Sequence, residues 1–347
     1  MRAEKHHTFW RRTFPIRSAG LRRAMVHPAY TSPMHRILVT GASSWVGGQL
    51  VRSLESRVDT EVFAVDEVEP TADFSSDFHL SSLDVLELAD HVISVRPTTV
   101  VHLQTLDRSA LLGPDHSRSS VVLGAQALFG AIGRLPDVKN VIVKSDAAVY
   151  GSGPRNPSVV RESSSTPARL TRYERSLRDV ESSVSQLEAE LPGVTFTVLR
   201  FNPIVGATIG NQLSRYLRLP VVPTLLGSDP RLQFVHEDDA VLALEHSVDH
   251  PTAGTFNVSS DGQLYLSRIL RLGGRINQRL TARQFGLAMK GLRPFGASLP
   301  RHLDSLIKYG RVVDTRLMRE TLGFKPSLNC RRLVLATYDR LPAPTLG

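Results

Sequence analysis

Residues 36–47 read Arg-Ile-Leu-Val-Thr-Gly-Ala-Ser-Ser-Trp-Val-Gly. Ile37, Leu38 and Val39 are a short apolar run of the kind that forms a buried strand. Gly41 turns the chain, and Trp45, Val46, Leu50, Val51 and Leu54 follow at the spacing of a helix packed on a sheet. A strand, a glycine turn and a helix start leave unbonded N–H groups and the positive end of the helix facing outward, which suits a pair of phosphates. Gly41 and Gly47 hold the outer positions of a G-x-x-G-x-x-G spacing, with Ser44 in the middle and Ser43 beside it. The next apolar run, Val62-Phe63-Ala64-Val65, closes on Asp66, about where a carboxylate grips an adenosine ribose. Asp66 followed by Glu67 repels the 2′-phosphate of NADP and accepts hydrogen bonds from a ribose diol, so the expected cofactor is NAD. The competing readings are a glycine turn without ligand and, for Asp66, a strand-end turn residue.

Outward from this motif, strand-like and helix-like runs alternate. Residues 85–95 read as a helix, 98–103 as a strand, 118–134 as a helix, 140–143 as a strand and 194–200 as another strand. Between the last two, Tyr173, Leu177, Val180, Val184, Leu187 and Leu191 form one apolar helix face. The expectation is an α/β fold, a Rossmann-type doubly wound parallel sheet. Residues 36–205 are expected to form the NAD-binding domain. Residues 206–347, with Gly and Pro spread more evenly, are expected to form a smaller, irregular substrate-binding subdomain with some segments returning to the core.

The chain has 347 residues, a net charge of +9 and a single cysteine, Cys330, which excludes an internal disulfide and any cysteine-based zinc cluster. The charge is concentrated at the start. Residues 1–35 carry seven cations against Glu4, a net +6, and leave +3 on the other 312 residues. A nearly balanced body argues against nucleic acid as a partner. The basic tail has no continuous apolar core for a secretory signal, and Pro15, Gly20 and Pro28 interrupt any amphipathic helix of a mitochondrial presequence. It reads as disordered, or as an over-long start ahead of Met34. No apolar stretch is long enough for a membrane span.

Further short motifs follow in order: Asp84-Val85, Val101-His102-Leu103, Ser145 through Val149-Tyr150-Gly151, Leu199-Arg200 with Gly206, Phe234-Val235-His236 with Asp239, and Thr255-Phe256-Asn257-Val258. With the opening motif and Asp66, they resemble the extended short-chain dehydrogenase/reductases over residues 36–341. Within these the chain resembles the NAD-dependent epimerase/dehydratase family, UDP-glucose 4-epimerase-like, in an actinobacterial branch with a degenerate active site. The resemblance implies that Trp45 and Val46 lie over the pyrophosphate, Asp66 on the ribose, and Asp84 with Val85 beside the adenine. Leu103, Gln104 and Thr105 line the nicotinamide half. It also implies a homodimer formed through residues 118–134 and 171–191.

Departures from the family pattern bear on catalysis. The family uses a Ser or Thr together with a Tyr-x-x-x-Lys pair, the lysine lowering the pKa of the tyrosine. Tyr173 occupies the tyrosine position, but Leu177 occupies that of the lysine. Arg178 lies about 100° further round a helix and is no substitute. Asp146 takes the Ser/Thr position, directly after Ser145. Asp146 is read either as the base itself or as the cap of a backbone turn, and Tyr173 either as the base or as the first residue of its apolar seam. Val121 stands where the family has an active-site Asn, Asn202 precedes Pro203 in an altered order, and Arg231 is one residue further from His236 than the usual phosphate-binding Arg. The catalytic candidates are Tyr173, Asp146 and Ser145, and the substrate-binding candidates are Asn202 and Arg231. His246 and His250 lack a third ligand, and His236 through Asp239 reads as an acidic helix start, so no metal is expected.

The function expected is that of a cytoplasmic NAD-dependent oxidoreductase acting by hydride transfer on a nucleotide-sugar, as an epimerase or dehydratase of a UDP-sugar, with an altered catalytic set. The alternatives are a catalytically silent sensor that binds NAD or a nucleotide-sugar, and an assembly subunit paired with an active relative.

Overall fold

The computed structural model describes residues 34–70, 73–81, 85–103, 118–165, 170–292, 294 and 299–339. The basic tail, Asp84, Gln104 and Thr105 lie outside them, as does the side chain of Val85. The first half runs β1 (His35–Thr40), α1 (Trp45–Glu55), β2 (Thr60–Asp66), β3 (Asp77–Leu80), α2 (Val85–Val95), β4 (Thr99–His102), α3 (Arg118–Ile132), β5 (Asn140–Asp146), α4 (Arg172–Glu190) and β6 (Thr195–Phe201). After it come β7 (Ile204–Val205), α5 (Gln212–Arg218), β8 (Val221–Leu225), β9 (Arg231–Leu232), β10 (Val235–His236), α6 (Glu237–Asp249) and β11 (Gly254–Val258). The chain ends with β12 (Leu264–Tyr265), α7 (Leu266–Leu272), β13 (Ile276–Leu280), α8 (Ala282–Gly291), α9 (Arg301–Tyr309), α10 (Arg316–Glu320) and α11 (Cys330–Asp339).

Among the described residues seven strands form one parallel sheet in the order β11-β6-β5-β4-β1-β2-β3. This is the expected Rossmann-type doubly wound architecture. Both faces are covered over the inner strands, so their central residues are mostly apolar, and alternation decides which face each of these serves. Ile37 and Val39 point to one side with Val62, Ala64, Val101, Ile142, Leu199 and Phe256, where α1 and α6 supply Leu50, Leu54, Ala243 and Leu244. Leu38 points to the other with Phe63, Val65, Val100, Val141, Val143 and Val198, beneath Val92 of α2, Leu128 of α3, and Val184 and Leu187 of α4. Burying a side chain of this size is worth about 1.5–3 kcal/mol each. A third cluster gathers Tyr216, Phe234, Ile269, Phe285, Leu306 and Leu333 from the second half of the chain. β11 and α6 return from that half to the main sheet.

The order of connection reverses between β1 and β4, which places a crevice at their carboxyl ends. Thr40 is level with His102, and Asp146 with Phe201, along that edge. His102 is 1% exposed, its Nδ1 sharing a 2.7 Å hydrogen bond with Thr40 Oγ1, while Nε2 has no partner among the described residues. Burial, helped by Lys144, pushes its pKa down from 6.5 to about 4. As pH falls below 6.5, the unfolded chain binds a proton that the folded chain refuses until about pH 4. Stability that is whole above that window is therefore lost through it, by about 3 kcal/mol for this group. We predict that His102→Asn flattens the dependence of the urea midpoint on pH between these limits relative to the parent. Parallel curves for the two proteins would contradict it.

Candidate active site

A cleft of about 400 Å³ opens along the carboxyl edge of the sheet. One end is formed by the start of α1. Ser44 caps this helix, its Oγ accepting from Gly47 N at 3.0 Å and donating to Gly41 O at 2.7 Å. Gly41 has φ +75°, a conformation that favours glycine. A Cβ on Gly47 would lie 2.3 Å from Gly41 O, so only glycine lets α1 approach the turn this closely. Ser43, Ser44, Trp45 and Val46 line the cleft here. Ser43 is pinned on both sides: its N–H donates to Asp66 Oδ2 at 2.8 Å and its hydroxyl to Val68 O. Asp66, 5% exposed, also accepts from Glu67 N at 2.7 Å, and lies behind the lining with Val68 and Glu69 in front. A helix start opening on a cleft, a turn crossed by a Cβ-less residue and an oriented carboxylate at the next strand end are the parts a dinucleotide requires, so the residues present fit NAD.

Leu103 joins this end to the other, held by a 3.0 Å bond from its N–H to Thr40 O. At the far end β5 presents Lys144 and Asp146 to the cleft, two residues apart and therefore on one face. Asp146 Oδ1 accepts from Ala148 N at 2.6 Å, capping the short 3₁₀ turn Ala147–Tyr150. Its Oδ2 accepts from the Tyr173 hydroxyl at 3.0 Å. One oxygen of Asp146 thus caps the turn and the other faces Tyr173. The guanidinium of Arg311 stands 3.6 Å from Oδ1, its side chain 3% exposed and its Nε without a partner among the described residues. Burial lowers the pKa of this guanidinium, and Asp146 opposes that. His302 stacks on the Tyr173 ring with centroids 4.2 Å apart and, mainly through burial, has its pKa pushed down to about 4, so it is neutral at pH 7.

Leu177 and Val121, the two departures with apolar side chains, pack together. Both are buried in one cluster with Tyr173, Ala147, Val149, Val160 and Val313. Leu177 and Val121 thus belong to the apolar cluster in which the Tyr173 ring is seated.

Two candidates fall elsewhere. Ser145 points to the opposite face of β5, as alternation requires, and donates to Glu181 Oε1 at 2.5 Å. There Glu181 is paired with Arg200 at 2.6 Å, and Arg200 donates to the Tyr150 hydroxyl at 2.7 Å, a network behind the cleft. Arg231 is likewise outside it. Its neighbour Leu232 turns into the core at 0% exposure, which sends Arg231 outward to donate to Ser158 O at 3.2 Å beside a smaller cavity. Asn202 does line the cleft, with its Nδ2 already shared between Gln233 Oε1 at 3.2 Å and Ser259 Oγ at 3.0 Å.

Lys144, His302 and Arg311 were not legible as site residues. Two-residue alternation from Asp146 is a signal that points to Lys144. Arg311 is delivered by a close chain crossing: its N–H donates to Arg231 O at 3.1 Å, and Gly310, at φ +75°, would place a Cβ 2.4 Å from that same oxygen. Nothing local in the sequence announces this contact. The rim above is braced by Glu237, which accepts from Ile209 N at 2.6 Å and fills the space a Cβ on Gly206 would occupy.

Residues 37–259 match the profile of the NAD dependent epimerase/dehydratase family. An uncharacterised protein of Mycobacterium tuberculosis is 34% identical over 311 residues, covering 86% of this chain and 81% of that one. Among solved structures, a UDP-glucose 4-epimerase of Thermotoga maritima with UDP-glucose superposes with a TM-score of 0.67 at 18% identity, covering 88% of this chain and 98% of that one. A NAD-dependent NDP-hexosamine 5,6-dehydratase of tunicamycin biosynthesis superposes with a TM-score of 0.67 at 21% identity, over 88% and 97%. These two likenesses are of fold. With the dinucleotide cradle intact and the profile spanning well over half its length, the chain belongs to the NAD dependent epimerase/dehydratase family, and NAD is its cofactor.

Proposed function

We propose that this protein is an NAD-dependent epimerase or related oxidoreductase of a nucleotide-sugar, a UDP-sugar in the first instance, in which Tyr173 and Asp146 move the proton. The observation that carries the reading is the 3.0 Å bond from the Tyr173 hydroxyl to Asp146 at one end of a cleft whose other end is the α1 cradle. Residues 36–205 supply the cofactor half, and 206–347 mainly the substrate half. NAD held by the start of α1 and Asp66 would supply the hydride chemistry at a sugar carbon. The chain's own part is the accompanying proton. A sugar hydroxyl bonded to the Tyr173 oxygen gives its proton to that oxygen while the tyrosine's own proton passes to Asp146. Arg311 stays cationic beside the carboxylate, and neutral His302 covers the ring and keeps water from it. In this arrangement no lysine at position 177 is needed.

A silent NAD- or nucleotide-sugar-binding protein is the second reading, favoured by the apolar floor that Leu177 and Val121 make under Tyr173. Incubation with NAD and a panel of UDP- and other nucleotide-sugars separates the two. We expect interconversion or nicotinamide reduction with at least one of them. Asp146→Asn and Tyr173→Phe should each lower that turnover by about 10²-fold or more. NAD binding with the whole panel inert would establish the silent reading instead.

For the cofactor, we expect Asp66→Ala to weaken NAD binding by about 1–3 kcal/mol in calorimetry, through loss of charge-assisted hydrogen bonds. Equal affinity of the parent for NAD and NADP would refute the role given to Asp66. We further propose a cytoplasmic homodimer joined through α3 and α4, where Leu123 is 48% exposed. Light scattering at micromolar concentration should give twice the monomer mass, and a purely monomeric reading would exclude the pairing.

A further inference from the structure

The small surplus of charge on the body conceals a segregation. Residues 262–303 contain eight arginines or lysines and no aspartate or glutamate, a net +8. Leaving these and residues 1–35 aside, the other 270 residues sum to −5. The segment builds α7, β13, α8 and the start of α9, and β8, which pairs with β13, carries no carboxylate either. Arg279, Arg283 and Lys290 are exposed, and none of them forms an ion pair among the described residues.

Exposed aliphatic side chains accompany these cations. Val221 and Ile276 face each other across the β8–β13 pair, 43% and 46% exposed. Leu226, 57% exposed, donates its N–H to Leu280 O at the other end of that pair. α8 turns Phe285 and Met289 inward and leaves Arg283, Leu287 and Lys290 outside, at the i, i+4, i+7 positions of one face, with Leu287 62% exposed. A single exposed leucine is ordinary. Arg283, Leu287 and Lys290 share one helix face, and the exposed aliphatics of the neighbouring β8–β13 pair lie on elements equally free of carboxylates, which is a different surface.

From this we infer that the β8–β13–α8 face is a docking surface for anionic phospholipid, holding the protein peripherally at a membrane. Lysine and arginine near an anionic leaflet are each attracted to it within a Debye length, and aliphatic side chains between them enter the boundary between headgroups and acyl chains. Nucleic acid would share the charge, but β8, β13 and α8 expose no aromatic ring on which a base could stack. No helix among the described residues is long and apolar enough to cross a bilayer, so the attachment is to one face.

The test is cosedimentation of the full chain with phosphatidylcholine vesicles, with and without one third phosphatidylglycerol. Binding is expected only to the anionic vesicles and should weaken as salt rises. The triple variant R279E/R283E/K290E should bind at least about tenfold more weakly, as should the charge-neutral R279Q/R283Q/K290Q to a smaller degree if the reversal fails to fold. Leu287→Ser should weaken binding with every charge kept. An unchanged thermal midpoint and NAD affinity in the variants show that the fold is intact. The inference is overturned if the parent ignores anionic vesicles, or if both triple variants bind as the parent does, which would assign binding to other cations such as those of residues 1–35. It is also overturned if RNA displaces the vesicles at equal phosphate while Leu287→Ser changes nothing.

Discussion

Parallel strands covered on both faces leave polar chemistry one place to stand, the carboxyl edge of the sheet, and every feature of the cleft follows from that confinement. Thr40, Asp66, His102 and Asp146 all sit at strand ends, because a residue or two earlier each would have been enclosed by α1 and α6 on one side or by α2, α3 and α4 on the other. The same geometry divides neighbours sharply. Asp146 reaches the cleft, while Ser145, one residue before it, is committed to the Glu181–Arg200 network on the far face. The two networks share a strand but not a surface, so one positions the 3₁₀ turn from behind while the other meets ligands in front.

Around Asp146 the low-dielectric surroundings cut both ways. Leu177 and Val121 make the floor apolar, which strengthens charge interactions above it and penalises any charge left uncompensated. Arg311 and Asp146 answer each other across 3.6 Å, and the tyrosine hydroxyl takes up the remaining carboxylate oxygen. The cation beside this carboxylate comes from a part of the chain far from Tyr173.

How much of this was legible follows from the range of each signal. The strand, turn and helix around Gly41 are local, and residues 36–66 announce both the fold and the cradle. The period of two and the period of 3.6 recover the sheet and its helices, because burial on both faces enforces them. Tyr173 and Asp146 were legible through their places in ordered motifs. Arg231 misled because spacing from His236 says nothing about which way a two-residue strand faces, and Leu232 had the stronger claim on the core. Arg311 and His302 were invisible for a different reason: their role arises only where distant segments cross, and neither lies in a local pattern that marks it.

The crossing at Gly310 has a consequence in time. A ribosome releases Asp146 and Tyr173 well before Arg311, which follows Tyr173 by 138 residues. At ordinary rates of synthesis that interval is on the order of ten seconds. During it the nascent chain can form β1 to β6 and the α1 cradle, yet Asp146 lacks the guanidinium of Arg311. A late-emerging stretch therefore completes the charge balance at Asp146, and a chain stopped short of residue 311 carries that carboxylate without the guanidinium beside it.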